Sequence, residues 1–511
     1  MQLSSLAQSF APQVRLAHGA ADAVVGRACF DSRRVQPGDL YCALPGTACH
    51  GVEFLAQAKE NGAAAWLVSA NSGHPSESNN TNLQAMAELP RLEVVGDANV
   101  VQVAGEIAAE LAGQPSQAMH LSAVTGTNGK STIVHLLEQA WNHNHVAAGR
   151  VGTLGFCFGG EETESLNTTP SADQLHDWMR RIQQQGAKAV ALEASSHGIH
   201  QQRLAGAEIN AIGWTNLSHD HLDYHGNLES YAAAKAALIH DNPNATALLP
   251  ADDPRIWQAQ SGAKAQCMSW SLIDPPSAGQ AQSSADLWAT YQASDNGIEL
   301  HINGVFGSGL LKSSMIGRHN GENLLLAFGL LRLSGMSVEQ SLYGLSQAGA
   351  APGRLQRVAP QSPWHLFVDY AHTPEALRSV LQALRNNYAD RRIGIVCGAG
   401  GDRDPIKRGP MGEAAVQGAD WCMLTSDNPR TENPDAILDA VVAGAEAANS
   451  GKEILRQVDR HLAIQKAVAR LHSGDVLLVA GKGHEPYQEI MGVRYPFDDR
   501  LELEEAVKCC S

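Results

Sequence analysis

The chain has 511 residues, 44% of them hydrophobic, and a formal net charge of −16. It is too long for one ordinary domain and suggests about three, and its acidic balance argues against a nucleic-acid-binding protein, which needs a surplus of Lys and Arg. No run of about 18 apolar residues is present, so we expect no membrane-spanning helix, and residues 1–14 lack the basic and apolar segments of a secretory signal. The nine cysteines show no paired spacing, which disfavours zinc and disulfides and indicates a reducing, cytoplasmic compartment.

The N-terminal region alternates short apolar runs with Gly and Pro, which is typical of an α/β domain. It contains DLYCALPG (residues 39–46), a helical pattern over residues 51–63 and the strand-like AAWLV (residues 64–68). Residues 71–81 are rich in Ser and Asn and predict a surface loop. A helical pattern over residues 101–112 follows, and we place the first domain boundary near Asn99.

The middle region alternates apolar segments with helical patterns. The apolar segments include AVALEAS (residues 189–195), INAIGWTNL (209–217) and TALLPAD (246–252), and the helical patterns cover residues 131–142 and 230–240. A Pro/Ser/Gln-rich loop is predicted over residues 274–284, and a Pro/Gly cluster within residues 349–358 marks a second boundary. The remainder repeats the alternation, and near-continuous apolar strands between helices indicate parallel sheets covered on both faces. We therefore predict an α/β protein of three domains, residues 1–99, 100–349 and 350–511.

The segment AVTGTNGKSTIVHLLEQA (residues 123–140) joins an apolar strand to a helical pattern through a glycine-rich loop. Such a loop directs backbone N–H groups inward, the helix N-terminus adds positive potential, and Lys130 can reach the outer phosphates of a nucleotide. The usual motif G-x-x-x-x-G-K-[ST] has a glycine where Val124 stands, and a Gly-Lys-Ser triplet alone is more often an ordinary turn. The strand before the loop and the helix after it nevertheless favour nucleotide binding by Gly126, Thr127, Asn128, Gly129, Lys130, Ser131 and Thr132.

The shortened loop GTNGKST resembles that of the Mur ligase and folylpolyglutamate synthase superfamily, and the resemblance extends over residues 31–500. It implies a Rossmann-like N-terminal domain, a central P-loop ATPase domain with a parallel sheet, and a Rossmann-like C-terminal domain. It also implies amide-bond formation, in which ATP phosphorylates a carboxylate and an amine attacks the acyl phosphate. Further ATP contacts are implied at Asn323, Arg354 and Asp369, with His372 beside the last of these in VDYAHTP. His319 replaces an aromatic residue that is usual in relatives.

Two segments carry the metal-binding residues that the resemblance implies. ALEASSHGIHQQR (residues 191–203) places Glu193 at a strand end as a Mg²⁺ ligand, although a solvated strand-end carboxylate is the simpler alternative. NLSHDHLDYHGNLESYAAAKAAL (residues 216–238) matches a segment that puts His221 on a second Mg²⁺ and an N-carboxylated lysine, formed with CO₂, at Lys235. From the residues alone, Lys235 is an exposed lysine on an Ala-rich helix, and the histidine spacing matches no closed zinc site. His219 stands at a position where relatives often carry Arg. The implied catalytic residues are Lys130, Lys235 and His221, and the implied metal ligands are Ser131, Glu193, His221 and Lys235.

DSRRVQPGDLYCALPGTACHG (residues 31–51) resembles the uridine-nucleotide domain of family members that act on UDP-muramoyl dipeptide and tripeptide, with His50 where they usually have Asp. Folylpolyglutamate synthases lack this segment. LNTTPSA (residues 166–172) and SSHGIHQQR (residues 195–203) match residues that hold the UDP-muramoyl peptide, since hydroxyls, amides and one Arg suit pyrophosphate, sugar and carboxylate. The implied contacts are Ser32, Thr47, Ala48, Cys49, Asn167, Thr168, Thr169, Ser195, Gln201 and Arg203.

LTSDNPRTENP (residues 424–434) contains Asn-Pro after a strand, which by itself predicts a turn that the Asp initiates. The tetrapeptide DNPR resembles the one that marks diaminopimelate-adding members, and it implies that Arg430 holds the distal carboxylate bidentately. Lysine-adding relatives lack this arginine. Glu485, in AGKGHEPYQ, suits the distal ammonium, whereas GAGG (residues 398–401) lacks dinucleotide-binding spacing and predicts a tight turn. The implied diaminopimelate contacts are Arg403, Asp427, Asn428, Pro429, Arg430, Gly481 and Glu485.

The resemblance as a whole implies a cytoplasmic, ATP- and Mg²⁺-dependent ligase of peptidoglycan synthesis, and through it a role in cell shape and division. It would add meso-diaminopimelate to a UDP-linked muramoyl dipeptide, act as a monomer, and bind only small molecules. We also expect the C-terminal domain to close over ATP. Two alternatives stay open. A folylpolyglutamate synthase would share the phosphate loop but need neither residues 31–51 nor 427–430, and in a non-enzymatic binding module Lys130→Ala would leave function intact.

Overall fold

The computed structural model describes residues 1–46, 49–72, 80–275, 283–294, 297–448 and 451–510. Thr47, Ala48 and most of the loop predicted over residues 274–284 lie outside these ranges. The chain forms two compact units, one of Met1–Trp270 with Leu326–Ser337 and one of Ser271–Leu325 with Val338–Ser511; the division into three domains stays a prediction. Within the described ranges, no helix combines the length and apolar character that crossing a bilayer requires.

The N-terminal part of the first unit contains α1 (Leu3–Ser9), β1 (Val14–His18), β2 (Arg27–Cys29), β3 (Asp39–Cys42), α2 (Leu55–Glu60), β4 (Ala65–Ser69), α3 (Asn80–Glu88), β5 (Arg91–Val94) and α4 (Val100–Leu111). Its sheet has the order β1-β5-β4-β3-β2, with β2 to β5 parallel and β1 antiparallel. Leu40 and Leu67 pack in one core and Tyr41 and Trp66 in another, as expected for strands with helices on both faces.

Most of the loop predicted over residues 71–81 lies outside the described residues, and its predicted end was wrong, because α3 already begins at Asn80. The reason is tertiary. Asn82, only 1% exposed, accepts a hydrogen bond from Ala56 N at 2.7 Å and donates one to Glu53 O at 2.6 Å. These bonds hold the start of α3 against the preceding turn and helix, which local composition does not indicate.

The central part of the first unit continues with β6 (His120–Thr125), α5 (Lys130–His143), β7 (Ala148–Gly152), β8 (Gly155–Phe158), β9 (Glu161–Thr163), α6 (Ala172–Gln184), β10 (Ala189–Glu193), α7 (Ser196–His200), β11 (Ala211–Trp214), α8 (Leu222–His225), α9 (Leu228–His240), β12 (Thr246–Pro250), α10 (Pro254–Ala259) and β13 (Gln266–Ile273), which ends in the second unit. The strand order is β13-β12-β11-β6-β10-β7-β8-β9. Strands β13 to β7 in this order are parallel, and β8 and β9 are antiparallel.

The second unit contains β14 (Leu287–Ser294), β15 (Gly297–Gly304), β16 (Gly309–Ser313), α11 (Arg318–Leu333, whose last turns belong to the first unit), α12 (Val338–Gln347), β17 (Gln356–Val358), β18 (His365–Asp369), α13 (Pro374–Asn387), β19 (Ile393–Cys397), α14 (Arg408–Gly418), β20 (Trp421–Leu424), α15 (Pro434–Ala447), β21 (Glu453–Arg456), α16 (Arg460–Val468), β22 (Val476–Ala480), β23 (Tyr487–Ile490), β24 (Val493–Pro496) and α17 (Asp499–Cys510). Its main sheet has the order β17-β18-β22-β19-β20-β21 and is parallel except for β17. Strands β14 to β16 form an antiparallel meander, and β23 and β24 form a hairpin.

The predicted α/β class with parallel sheets is confirmed, but the sequence analysis missed the antiparallel strands. Strand β15 shows why, since buried and more exposed residues alternate along much of its length. Continuous apolar runs mark parallel strands covered on both faces, so an alternating pattern of this kind was not predicted as a strand. Both main sheets gather the loops at the carboxyl ends of their parallel strands, which is the edge at which α/β proteins bind ligands.

Candidate active site

The predicted phosphate loop joins β6 to α5, and its geometry requires glycine. Gly126 has a φ of +132°, and a Cβ atom there would lie 1.9 Å from Thr215 Oγ1. Gly129, the residue before the helix, has a φ of +91°. Both backbone conformations favour glycine over other residues. Thr127 N donates to Asn216 O at 3.0 Å, so the loop is tied to the carboxyl end of the neighbouring strand β11.

Two lysine side chains converge on this loop. The Nζ atoms of Lys130 and Lys235 each donate to the carbonyl oxygen of Gly126 at 2.9 Å, and Lys130 also donates to Thr127 O at 2.8 Å. Lys235 is 1% exposed, and its Nζ lies 4.3 Å from the ring centroid of Tyr231. Burial, and next the charge of Lys130, lowers the pKa of Lys235 to about 6. The alternative of an exposed surface lysine is therefore wrong.

Glu193 is a buried carboxylate at the end of β10. It is 2% exposed, which rules out the solvated strand-end alternative. Its Oε2 accepts a hydrogen bond from Ser131 Oγ at 2.9 Å, and its Oε1 accepts one from Thr153 N at 2.8 Å. The first turn of α5 and the ends of β7 and β10 thus meet around oxygen atoms. Hard oxygen donors of this kind suit Mg²⁺.

His221 precedes the short helix α8 with a left-handed φ of +51°. Its ring centroid lies 4.8 Å from that of His197 and 6.3 Å from that of Tyr231. The tyrosine ring therefore has His221 on one side and the Lys235 ammonium against its face. His219 is exposed. In the part of the chain that the structure describes, no group of three or more His, Cys, Asp or Glu side chains is arranged to hold a metal ion.

Three of the residues predicted to hold the UDP-muramoyl peptide gather around a fourth, Thr169. Its Oγ1 donates to Glu193 O at 2.7 Å and lies 3.0 Å from Ser195 Oγ. Its carbonyl oxygen accepts a hydrogen bond from Arg203 Nη1 at 2.7 Å, and Arg203 Nη2 donates to Gln201 Oε1 at 2.7 Å. The cluster is therefore attached to the same strand end as the buried carboxylate of Glu193.

Residues 166–168 are less enclosed. Leu166 is 99% exposed and Asn167 is exposed as well. Thr168 Oγ1 lies 3.2 Å from Thr153 Oγ1, which also contacts Glu193. This segment therefore reaches from solvent to the end of β10.

Two of the predicted uridine contacts, Ser32 and Cys49, are described by the structure and lie in the N-terminal part of the first unit. Ser32 is buried, and its Oγ donates to Gln57 Oε1 at 2.7 Å. Cys49 is exposed. His50 Nδ1 accepts a hydrogen bond from Val52 N at 3.2 Å and so caps a short 3₁₀ turn. The imidazole takes the capping position for which an aspartate side chain is also suited.

In the second unit, the DNPR loop (residues 427–430) follows β20 and is largely buried. Asp427 is 7% exposed; its Oδ1 accepts a hydrogen bond from Asn428 N at 2.7 Å, and its Oδ2 has no hydrogen-bond partner among the described residues. A Cβ atom on Gly481, where φ is +120°, would lie 2.3 Å from that Oδ2. Buried carboxylate oxygens without a donor are rare. This one faces the space that a glycine leaves open.

Arg430 is held in a left-handed conformation, with a φ of +50°. Its N–H donates to Glu489 O at 2.9 Å, and its carbonyl oxygen accepts from Met491 N, so the hairpin β23–β24 grips its backbone. Its Nη1 donates to Gly401 O at 2.7 Å, and its Nε lies 3.9 Å from Glu489 Oε2. The contact with Gly401 uses one of the five N–H donors of the guanidinium. Non-glycine residues held in this way cluster at ligand sites.

The GAGG segment (residues 398–401) packs on the DNPR loop. A Cβ atom at Gly398 would lie 2.1 Å from Thr425 O, and one at Gly401 would lie 2.0 Å from Pro429 O. The glycines thus let two backbones approach closely, and this packing accounts for them without a dinucleotide.

Glu485 is hydrogen-bonded directly to the DNPR loop, and a lysine that the sequence analysis missed contacts both partners. Asn428 Nδ2 donates to Glu485 Oε2 at 2.8 Å. Lys482, which is 0% exposed, donates from Nζ to Asn428 Oδ1 at 3.1 Å and lies 3.5 Å from Glu485 Oε2. The available signal was a lysine between two glycines directly after the apolar strand β22. Arg403 is exposed.

A buried ion pair supports both of these loops. The side chains of Arg460 and Asp499 are 0% exposed and joined by two contacts, Nη2 to Oδ2 at 2.6 Å and Nε to Oδ1 at 2.7 Å. Arg460 also donates to Ser426 O at 3.3 Å and to Ala480 O at 3.0 Å. These carbonyls directly precede the DNPR loop and the segment that begins at Gly481. The pair therefore connects the ends of β20 and β22.

The ATP contacts predicted in the second unit lie on two segments. Asp369 ends β18, and its carboxylate accepts hydrogen bonds from Leu355 N at 2.6 Å and Ala371 N at 2.8 Å. Burial raises the pKa of Asp369. The Arg354 guanidinium lies 5.3 Å from the ring centroid of Tyr370. This segment thus presents a carboxylate and a guanidinium near one strand end.

Asn323, the third of these predicted contacts, is a buried residue of α11, and its Nδ2 donates to Asn320 Oδ1 at 3.2 Å. His372, next to the Asp369 segment, has its Nδ1 2.8 Å from Tyr370 O. The phosphate loop belongs to the first unit and these residues to the second.

Family profiles match three consecutive parts of the chain. The Mur ligase family catalytic domain matches residues 28–110, the Mur ligase middle domain residues 124–331, and the Mur ligase glutamate ligase domain residues 353–483. The chain is also 38% identical over 481 residues to the UDP-N-acetylmuramoyl-L-alanyl-D-glutamate--2,6-diaminopimelate ligase of Ectopseudomonas mendocina, which covers 93% of this chain and 94% of that protein. The protein of the same name from Coxiella burnetii is 36% identical over 489 residues, covering 95% and 96%.

Solved structures agree with these matches. A structure of a ligase of that name superposes with a TM-score of 0.73 at 31% identity, covering 100% of this chain and 99% of the other. A Mycobacterium tuberculosis folylpolyglutamate synthase shares the fold at a TM-score of 0.56 and 17% identity, covering 73% of this chain and 90% of the other. Profiles matched along most of the chain, and relatives similar over nearly their whole length, establish that the chain belongs to the Mur ligase family.

Proposed function

We propose that this chain is an ATP-dependent amide ligase of peptidoglycan synthesis that acts in the cytoplasm. It adds meso-diaminopimelate to the D-Glu carboxylate of UDP-N-acetylmuramoyl-L-alanyl-D-glutamate. The observation that carries the proposal is the charge pattern around the DNPR loop. There Asp427 Oδ2, which has no hydrogen-bond partner in the part of the chain that the structure describes, lies on loops connected to those of the Arg430 guanidinium and the Glu485 carboxylate. Carboxylates and a guanidinium complement an amino acid that carries two ammonium groups and a distal carboxylate.

In this proposal the first unit activates the acceptor carboxylate. Lys130 and the loop N–H groups bind the phosphates of ATP, whose terminal phosphoryl group passes to the carboxylate with release of ADP. The amine of diaminopimelate attacks the resulting acyl phosphate, loses a proton, and inorganic phosphate leaves as the amide bond forms. Ser131 and Glu193, which lie 2.9 Å apart, would hold Mg²⁺. When bound, the ion neutralises the charge that develops on the transferring phosphoryl group. The protein itself chiefly positions the reactants and balances charge. The cluster around Thr169 would hold the UDP-muramoyl peptide beside this point.

The proposed carbamate on Lys235 is supported by the environment of that side chain. Its burial, together with a pKa lowered to about 6, leaves a large neutral fraction of the amine at neutral pH. Only the neutral amine can react with CO₂; the new N–C bond releases a proton and leaves an anionic carbamate, which the charge of Lys130 would attract. His221, against the same tyrosine ring as Lys235, is the proposed second ligand.

The first test is phosphate release with ATP, Mg²⁺ and UDP-N-acetylmuramoyl-L-alanyl-D-glutamate, comparing meso-diaminopimelate with L-lysine. We expect release with diaminopimelate only. Release with lysine would support the ligase activity but contradict the assignment of the DNPR loop to diaminopimelate binding. Release with neither would redirect attention to folate-type substrates, and release that survives Lys130→Ala would contradict the assignment of the phosphate loop.

The same assay tests Arg430 directly. Truncation to alanine removes one partner of a charged contact, worth about 2–5 kcal/mol, so kcat/KM for diaminopimelate should fall roughly 30- to 5,000-fold while ATP binding persists. The matched control is Arg456→Ala, since Arg456 is 41% exposed and pairs with Asp435 at 2.6 Å on the surface. An unchanged KM for diaminopimelate in the Arg430 variant would refute the assignment.

A further inference from the structure

Lys482 is a fully buried lysine whose role the proposed ligation does not include. It follows β22 and is 0% exposed. Removing an ammonium group from water costs several kcal/mol unless partners compensate it, so a lysine in this position requires a specific arrangement around it. Because it is fully enclosed, it cannot itself touch a substrate.

The contacts of Lys482 form a directional chain. Asn428 Oδ1 accepts hydrogen bonds from Lys482 Nζ at 3.1 Å and from Glu489 N at 2.9 Å. Two donors on one side of the amide require oxygen there, so the Nδ2 group must point the other way. It donates to Glu485 Oε2 at 2.8 Å, and that oxygen also lies 3.5 Å from Lys482 Nζ. The lysine thus contacts both the amide oxygen of Asn428 and the carboxylate of Glu485.

One member of this chain of contacts is accessible to a ligand. The Glu485 side chain is 19% exposed, so it is the member of the chain that can meet a ligand. Without the ammonium, the Asn428 amide loses one of the two donors that set its orientation, and the carboxylate loses its nearest cation. The Lys482 ammonium also lies 5.4 Å from the centroid of the Tyr487 ring, at the start of the hairpin that grips Arg430.

We propose that Lys482 is a positioning residue for the amino-acid substrate, acting through Asn428 and Glu485 on the ammonium group at the distal end of a diamino acid. The proposal rests on the proposed function, since it concerns how the same pocket selects its amine. A residue that only fills the core would behave differently, because replacing it would lower stability without raising the KM of one substrate more than that of the others.

The decisive variant is Lys482→Met, which keeps the length of the side chain and removes its charge. We expect KM for meso-diaminopimelate to rise about 10- to 100-fold, the range for losing a hydrogen bond to a charged group. KM for ATP and for the UDP-muramoyl dipeptide should stay within about twofold of wild type. The matched control is Lys466→Met, at an exposed lysine on α16 of the same unit.

A double-mutant cycle with Glu485→Gln shows whether the effect passes through the carboxylate. If it does, the double variant has about the same KM for diaminopimelate as Glu485→Gln alone, whereas independent effects would multiply. Equal rises in KM for all three substrates, or multiplicative effects in the cycle, would overturn the proposal.

If Lys482→Met does not fold, as judged by circular dichroism, Asn428→Asp decides the question. An aspartate keeps a partner for Lys482 but cannot donate to Glu485, so the same selective rise in KM is expected, and an unchanged KM refutes the relay. Failure of the wild-type enzyme to use diaminopimelate would instead refute the proposed function. An active wild type whose Lys482→Met variant matches Lys466→Met would refute only the role of Lys482.

Discussion

Replacing Arg460 with methionine should destabilise the second unit strongly. Both side chains of the Arg460–Asp499 pair are 0% exposed and joined by two contacts of 2.6 and 2.7 Å. Removing one partner of a buried ion pair costs about 3–5 kcal/mol, because it leaves an uncompensated charge. In a unit of roughly 150–250 residues, 1 kcal/mol shifts the melting temperature by about 2–4 °C. We therefore expect the calorimetric transition of the second unit to fall by about 6–20 °C.

Two companion variants identify the cause. Arg460→Met combined with Asp499→Leu removes the unpaired carboxylate but still leaves Ser426 O and Ala480 O without their donor, at about 1–3 kcal/mol each, so recovery should be partial. The exposed pair of Arg456 and Asp435 is the control, since Arg456→Met should cost no more than about 1 kcal/mol. A shift no larger than that of Arg456→Met, or a double variant less stable than the single one, would refute this reasoning.

Three further predictions concern the first unit. Gly126→Ala should reduce ATP-dependent phosphate release at least about 100-fold, because its Cβ would lie 1.9 Å from Thr215 Oγ1. The control is Gly26→Ala, whose Cβ would have no atom of the described residues within 4 Å apart from its chain neighbours, and it should behave as wild type in the same assay. Lys235→Met should be more stable than wild type by a few kcal/mol near pH 7 in CO₂-free buffer. The reason is that the pKa of Lys235 falls from 10.5 to about 6 on folding, so the free energy of unfolding of the wild type rises with pH between these two values. Urea titrations should therefore show the stability difference between variant and wild type shrinking towards pH 10. Burial lowers the pKa of His176 from 6.5 to about 4, so the free energy of unfolding should fall as the pH drops through this range. The melting temperature of His176→Gln, plotted against pH, should fall less steeply than that of the wild type, and parallel plots would contradict this.

The phosphate loop shows what local sequence can predict. A strand, a glycine-rich turn and a helix are adjacent in the chain, and the required conformations at Gly126 and Gly129 are properties of single residues. The placement of Glu193 at a strand end followed in the same way from an apolar run. The burial of Glu193 and Lys235 did not follow from local sequence. For Lys235 it depends on α9 placing the side chain against a carbonyl more than a hundred positions away in the chain.

For the DNPR loop, in contrast, local sequence predicted little of the structure. Its tetrapeptide could be recognised by resemblance. Nothing local indicated that Asp427 Oδ2 would be enclosed with no donor among the described residues, or that a hairpin would bind the backbone of Arg430. Lys482 was missed because a lysine between two glycines is a common turn pattern, and its importance arises only when Asn428 and Glu485 are brought to it from other positions. The antiparallel strands were missed for a related reason, since their short alternating patterns gain meaning only from the strands they pair with.

The sequence by itself determined the α/β class, the parallel strands, the phosphate loop and the residue types available for chemistry, because periodicity, glycine placement and strand-to-helix transitions act over a few neighbouring residues. Only the tertiary structure decided which charges are buried and which partners they have. It placed Lys235 beside Lys130, Ser131 against Glu193, and the Arg460–Asp499 pair beneath the ends of β20 and β22. Desolvation and Coulomb energy depend on distances between groups that are remote in the chain, so these properties emerge only when packing brings those groups together.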